Sequence, residues 1–237
     1  MPTSQMGIRY LTGEISAAPS EWKSQTAPVP AATKVQPSGS VALATDLAGK
    51  PLVAYWVTPE EGNNYRVILW SPESGQTSQA ADSNGQGCDA PRLRLNAGGG
   101  KLRLLLNCAR DPKDADFSIW YTASSGATWS APVKLPIDGP RSTNSPMALS
   151  TDSHGRIAAI FASNSGSGGT TCGFPVLSLS ADGVKWTTCG PGKRSGETFD
   201  PQPSTISGLF TPDDRLNIVW HQVAENEVGQ GLLLWRE

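Results

Sequence analysis

A short turn signature recurs four times along the chain at intervals of about 50 to 60 residues. Recurrence at that period restricts the fold to an array of like supersecondary units. The best-formed copy runs Thr122, Ser124, Gly126, Thr128 and Trp129, and Ser180, Asp182, Gly183 and Trp186 repeat it one residue shorter. Ser71, Glu73, Gly75 and Thr77 make a third copy, and Ser16, Ala18, Pro19 and Trp22 a worn fourth. Their leading residues stand 55, 51 and 58 positions apart, room for one four-stranded unit each. A hydroxyl in first place, with an acid or Ser two residues on, can hold nearby backbone amides. The Gly then permits positive φ, and the Trp packs back across the hairpin to cap the space between sheets.

Between signatures lie apolar runs of strand length, each bounded by Gly, Pro, Asn, Asp or Ser. Innermost strands are expected at 41–45, 93–96, 147–151 and 206–211, and second strands at 52–57, 102–107, 157–162 and 216–220. Polar turns join the two sets, with Gly49, Gly98 to Gly100, Gly155 and the pair Asp213 and Asp214. Third strands follow at 66–70, 117–121, 176–179 and 232–235. A more polar outer strand comes after the signature, clearest at 129–135 and 186–188, as suits an exposed sheet edge. Helical period is absent. Only 17% of residues are charged, and the 25 Gly, 19 Pro and eight Trp suit many short strands and tight turns. One all-β domain over 1–237 is expected.

The net charge of −2 and the lack of any Lys/Arg run remove the electrostatic footprint of a nucleic-acid binder. No stretch approaches 18 consecutive apolar residues, and the N-terminus lacks the order of a signal peptide, so membrane insertion is not expected. Met1 leads almost directly into a strand-like run at 8–11, which reads as a removed leader or, preferably, as a piece of a longer chain. The four cysteines fall into two local pairs, Cys88 with Cys108 and Cys172 with Cys189. Local disulfides and an exported protein are the preferred reading; four reduced thiols in a cytosolic protein are the alternative, and all three connectivities stay open.

Quoted as they stand, T-A-S-S-G-A-T-W at 122–129 and S-A-D-G-V-K-W at 180–186 resemble the Asp-box, or BNR repeat, of sialidase-like β-propellers. That motif has the form S/T-x-D-(x)-G-x-T/S-W and lies between the third and fourth strands of a blade. Ser124 and Ala18 stand where the family has its acid. The resemblance implies a β-propeller of four-stranded antiparallel blades, innermost strand first, with six blades usual in sialidases. Residues 36–197 make three units in full, the start supplies strands three and four of another, and the end supplies strands one to three. Either these ends close to give about four blades, or the chain is a fragment of a six-bladed propeller.

In sialidase-like enzymes the site lies on the central axis, with three arginines for the substrate carboxylate, a Tyr nucleophile with a Glu partner, and an Asp acid/base. The planar fork of Arg suits a carboxylate. The family's F/Y-R-I-P motif is absent; Ala90-Pro91-Arg92 stands at a similar place in the wrong order. Tyr10, Tyr55, Tyr65 and Tyr121 all fall in or beside strand runs, away from the nucleophile's late position.

In a propeller the loops entering strand 1 and those joining strands 2 and 3 open at one end, and here they are polar. Asp89, Arg92, Arg141, Asn144, Glu197 and Asp200 lie in the entering loops, and His221 begins the last 2-to-3 loop. Glu197 and Asp200 are the candidate acid/base pair, against a plainer reading as solvated loop carboxylates. His221 would serve a sugar or act as a base, against a capping or solvent-facing role. Arg92 is the candidate for an acidic ligand, whereas Arg94 and Arg103 sit in strands whose alternation can point them outward. Trp56 and Trp220 are the candidate sugar-stacking platforms, a role that needs an exposed indole. Asp82, Asn84, Gly85 and Asp89 offer oxygen ligands but depart from calcium-loop spacing, so no metal is expected there, and no cofactor anywhere.

Two functions fit. The preferred one is a secreted or cell-surface binding module, without catalysis, that recognises glycan or protein on its central polar face. The other is a glycoside hydrolase of exo-sialidase type with part of its catalytic set outside this chain. A purely structural propeller is the plainest third reading.

Overall fold

The computed structural model describes residues 7–35, 41–46, 48–62, 64–82, 92–98, 100–107, 118–138, 146–161, 175–188, 205–223 and 230–236. Of these, 92–95, 97, 137–138, 221–223 and 230–236 are described by their backbone alone. One 3-10 turn, Pro19–Glu21, interrupts a chain whose other regular elements, among the described residues, are strands in five antiparallel sheets. No helix among them is long and apolar enough to cross a membrane.

Sheet I pairs β1 (Arg9–Thr12) with β2 (Lys23–Thr26). Sheet II contains β3 (Thr33–Val35), β4 (Val41–Thr45), β5 (Pro51–Pro59), β6 (Arg66–Trp70) and β7 (Thr77–Asp82). Both β3 and β4 pair with β5, so the inner edge of this sheet is one interrupted strand. Sheet III holds β8 (Arg92–Gly98), β9 (Lys101–Asn107), β10 (Ser118–Ser125), β11 (Thr128–Trp129) and β12 (Val133–Asp138). Sheet IV runs β13 (Met147–Thr151), β14 (Ile157–Phe161), β15 (Val176–Ser180), β16 (Thr187–Thr188). Sheet V runs β17 (Ile206–Phe210), β18 (Leu216–Val223), β19 (Gln230–Arg236).

The expected inner, second and third strands are all present, and two inner strands have the expected limits, 41–45 and 147–151. The expected outer strand at 129–135 is instead two pieces, because β10 pairs first with β11 at the turn and then with β12 farther back. The three-residue β3 escaped the sequence reading: its apolar content is slight and the Pro28-Val29-Pro30 run before it reads as loop.

Each sheet packs a face on the next. Tyr55, Val57, Ile68 and Trp70 of sheet II meet Tyr10 of sheet I and Ile8 just before it. On its other face Trp56, Val67 and Leu69 meet Leu104 and Leu106 of sheet III. Leu105, Ile119 and Tyr121 face Met147, Ile157 and Phe161 of sheet IV, and Ile160 and Leu177 face Ile206, Leu216, Ile218 and Trp220 of sheet V. Second strands such as β5 are covered on both faces, which is why they read as unbroken apolar runs. The inner strands meet in series, β4 against β8, β8 against β13 and β13 against β17. This propeller-like row is open among the described residues: no apolar cluster joins sheet V to sheet I or II.

The three signatures that carry a glycine place it at positive φ, Gly75 at 71°, Gly126 at 63° and Gly183 at 77°. Trp129 packs into the junction of sheets II and III, and Trp186 into that of III and IV, where its ring meets Tyr121 edge-on at 5.1 Å. Trp22, of the worn copy, instead lies against Gly13.

Candidate functional site

Strand register fixes which loops share an end. Arg92 pairs with Asn107, Met147 with Phe161 and Ile206 with Trp220, so each inner strand starts where its second strand finishes. The first residues of the inner strands and the last residues of the second strands therefore share one edge of the sheets. Most of the residues proposed for that end, Asp89, Arg141, Asn144, Glu197 and Asp200, lie outside the described residues, as do Cys88, Cys108, Cys172 and Cys189. Arg92 begins β8 and His221 lies within β18, paired with Leu232. Buried at the same end are Asn107 and Ser118, two polar residues the sequence reading passed over. The signal available was a polar residue closing the apolar run of β9 and another opening β10.

Three placements differ from expectation. Trp56 is 1% exposed and Trp220 8%, so neither offers an indole face to a sugar. The reason is positional: each ring lies on the sheet face that packs against a neighbouring sheet, Trp56 in the II–III cluster and Trp220 in the IV–V cluster. Arg103 points inward and is buried. Its Nη1 donates to the Gly98 and Lys101 carbonyls, and its Nε has no partner among the described residues. Burial raises the Tyr121 phenol, with Arg103 pulling it back in part, and burial pushes Tyr55 up to about 12. Tyr55 donates to the Pro28 carbonyl. Both phenols are protonated core groups, not nucleophiles.

At the opposite end, the hairpins joining inner to second strands form a second repeat that the sequence reading used only as turns. Asp46 Oδ1 accepts from the amides of Ala48 (2.8 Å) and Lys50 (2.9 Å). Asp152 Oδ1 accepts from those of His154 (3.0 Å) and Arg156 (2.7 Å). Gly49 and Gly155 take φ of 80° and 84°, and Asp214 takes 60° at the matching place in sheet V. The signal is the recurrence of D-x-x-G followed by Lys or Arg at 46–50 and 152–156.

Two of these hairpins touch. Ser153 donates to Asp214 through its amide (2.8 Å) and its hydroxyl (2.6 Å), and His154 Nδ1 lies 3.0 Å from Asp214 Oδ2. Arg156 Nη2 donates to the Asp214 carbonyl at 3.2 Å, and its guanidinium sits 5.2 Å from the Phe210 ring centre. The Ser153 hydroxyl and amide hold Asp214 below the ordinary aspartate range. Asp152, His154 and Asp214 each offer one ligand atom within 4.8 Å of the others. A divalent cation fits poorly, because Asp152 already accepts from two amides and from Arg156 Nε at 2.8 Å. A Ser–His–Asp relay fails too: hydroxyl and carboxylate both meet the same imidazole nitrogen, whereas a relay needs one on each. The cluster fastens sheet V to sheet IV.

No protein-family model and no curated protein sequence matches the chain. Solved structures do. The α-L-arabinanase of Penicillium chrysogenum, solved with arabinobiose, aligns over 85% of this chain and 64% of its own at 15% identity, with a TM-score of 0.57. The intramolecular trans-sialidase of Ruminococcus gnavus aligns over 91% and 47% at 14% identity, TM-score 0.49. An endo-arabinase of Bacteroides thetaiotaomicron aligns over 90% and 80% at 11%, TM-score 0.47. The arabinanase likeness carries the fold, and at these identities it carries the fold alone. The chain spans about two thirds of that arabinanase and about half of the trans-sialidase.

Proposed function

We propose that this chain is a propeller-like carbohydrate-recognition module whose ligand end is the one where the entering loops and the 2-to-3 loops meet. The observation that supports the reading most is the fold shared with an arabinanase solved with arabinobiose, joined to the polar character of those loops. Arg92, Asp89, Arg141, Asn144 and His221 are the proposed ligand contacts; Trp56 and Trp220 are withdrawn from that role as core residues. The two local cysteine pairs are the basis for proposing export, and a free-thiol count on the purified, unreduced protein tests it: four reactive thiols end that proposal.

A glycan array, followed by titration with arabino-oligosaccharides and with sialyl-lactose, tests the binding reading. Binding is expected, with affinity lowered by Arg92→Ala. No binding at millimolar ligand to the correctly folded chain overturns it.

The hydrolase reading is favoured by the same likeness, since the matched structures include glycan-cleaving enzymes. In that reading Glu197 and Asp200 act as acid and base on a glycosidic bond, an exo-sialidase being its most specific form. Release of sugar from arabinan or a sialoside, lost in both Glu197→Gln and Asp200→Asn, would make the protein an enzyme. Ligand binding without release assigns recognition alone.

A further inference from the structure

The signature of sheet IV is one residue shorter than that of sheet III, and the shortening has a chemical effect. In sheets II and III a serine, Ser74 or Ser125, stands before the glycine; in sheet IV the acid itself does, which creates the step Asp182–Gly183. Aspartate before glycine is well disposed to isomerise, because no side chain shields the glycine nitrogen and the backbone there turns freely. The glycine that the turn requires, at a φ of 77°, thus brings a reactive step with it. Asp138–Gly139 and Asn84–Gly85 are comparable in sequence, but neither lies wholly within the described residues.

The reaction joins the Gly183 nitrogen to the side-chain carboxyl carbon of Asp182. The amide gives up its proton and the carboxyl group its hydroxyl, and these leave as water when the succinimide ring closes. Water then opens the ring at the main-chain carbonyl. The chain now runs through the side-chain carbon, an isoaspartyl residue of unchanged mass, and water is the only reagent.

In the folded turn both partners are held out of this reaction. The buried Gly183 amide donates to Ser180 Oγ at 2.8 Å. Asp182 Oδ1 accepts from the amides of Val184 and Lys185, each at 2.8 Å, which draws the carboxylate forward past the glycine. The Lys185 amide, then that of Val184, also holds this carboxyl below the ordinary aspartate range, and the ionised carboxylate is the poorer electrophile. Tyr121 lies against the glycine, so close that a Cβ added at 183 would meet its Cε1 at 2.5 Å. Ring closure needs the carboxyl carbon over the face of the Gly183 amide, and reaching it breaks all three hydrogen bonds.

We propose that Asp182–Gly183 is a latent isoaspartyl site, closed by the folded turn and reactive only in molecules whose turn has opened. The product marks those molecules and keeps them open. Lengthening the main chain at 182 displaces the Gly183 carbonyl, which accepts from Trp186 Nε1 at 3.2 Å, and Trp186 is the ring that meets Tyr121 in the III–IV junction.

Peptide mapping of the chain held at neutral pH, beside a free peptide of residues 180–186, tests this. Isoaspartyl content at 182 is expected to climb in the peptide and to lag far behind in the folded chain. Hydrogen exchange of the Gly183 amide gives the open fraction, and the rate in the chain is expected to equal the peptide rate multiplied by that fraction. Ser180→Ala removes the acceptor and is expected to raise the rate at 182 at least about tenfold. Ser180→Thr, which keeps the hydroxyl and matches Thr122 of sheet III, is expected to stay near the unaltered rate. A folded chain that isomerises as fast as the peptide overturns the proposal, and so does Ser180→Ala reacting no faster than the unaltered chain. Should Ser180→Ala fail to fold, the unaltered chain in graded urea decides alone: a rate at 182 that does not follow the open fraction at Gly183 overturns the proposal.

Discussion

The turn signatures of sheets III and IV look alike in sequence and are held by different forces. At 180–186 the side chains build the turn. Ser180 Oγ accepts from the Gly183 amide at 2.8 Å and donates to the Lys185 carbonyl at 2.6 Å. Asp182 Oδ1 accepts from the amides of Val184 and Lys185, both at 2.8 Å. Trp186 closes the turn by donating from Nε1 to the Gly183 carbonyl. At 122–129 the backbone does most of the work instead. Ser124 pairs with Trp129 and Ser125 with Thr128, a short β-ladder, while Thr122 Oγ1 donates to the Ser130 carbonyl. Ser124, standing where Asp182 stands in sheet IV, turns away from its own turn and accepts from the Leu102 amide of the next strand. With no carboxylate to gather the amides, pairing across the hairpin satisfies the backbone. One conformation at the glycine is thus reached by two routes.

The largest expected contrast is at those glycines. A Cβ at position 183 would meet Tyr121 Cε1 at 2.5 Å, whereas one at 126 would meet nothing within 4 Å. Both positions carry the positive-φ penalty, but only the first adds overpacking. Chemical denaturation is therefore expected to show Gly183→Ala costing about 2–5 kcal/mol and Gly126→Ala about 1–2 kcal/mol. Equal losses would mean that the III–IV junction yields freely at Tyr121.

Restoring the acid in sheet III is expected to harm. Ser124 is buried and bonded to β9, so Ser124→Asp places a charge where an amide acceptor now sits, costing about 1–3 kcal/mol in the same measurement. A gain in stability would show that the two turns are interchangeable after all.

Removing the acid from sheet IV should act locally. In Asp182→Ala the Val184 and Lys185 amides lose their acceptor, and their hydrogen exchange is expected to quicken, with a small drop in melting temperature. The turn at 122–129 should be unaffected. Faster exchange there as well would mean that the two turns form one cooperative unit.

The smallest effect is on acid stability. The Lys185 amide, then that of Val184, holds Asp182 below the ordinary aspartate value of 3.8. A depressed carboxylate contributes stability that is present above its unfolded value and lost as the pH falls through the folded one. Below pH 3.8 the unaltered protein should therefore lose slightly more stability than Asp182→Asn, and sheet III supplies no matching contribution at Ser124. Parallel acid limbs for the two proteins would contradict this.

Much of the strand pattern was legible because antiparallel strands covered on both faces must be apolar along their length, as β5 and β14 are. The same property hid the fate of Trp56 and Trp220. A tryptophan near a strand end reads as a platform or as core according to whether another sheet lies over it, and that sheet belongs to a distant part of the chain. Arg103 misled for a related reason: alternation assigns a side, but not what occupies it, and its side is the III–IV junction. The contact between Ser153 and Asp214 joins residues 61 positions apart, beyond any local signal, although the hairpin repeat that carries both was open to reading. At the candidate ligand end, register brings together the starts of the inner strands and the ends of the second strands.

By itself the sequence determined the repeating unit, the order of strands within it, and the glycines of its turns, because these follow from local periodicity and from the φ angles only glycine takes cheaply. The tertiary structure decided which face of each sheet is buried, which tryptophans become core, and which hairpins are fastened to each other. Those outcomes depend on the neighbour a sheet meets, and burial is a property of the pair of surfaces rather than of either strand alone.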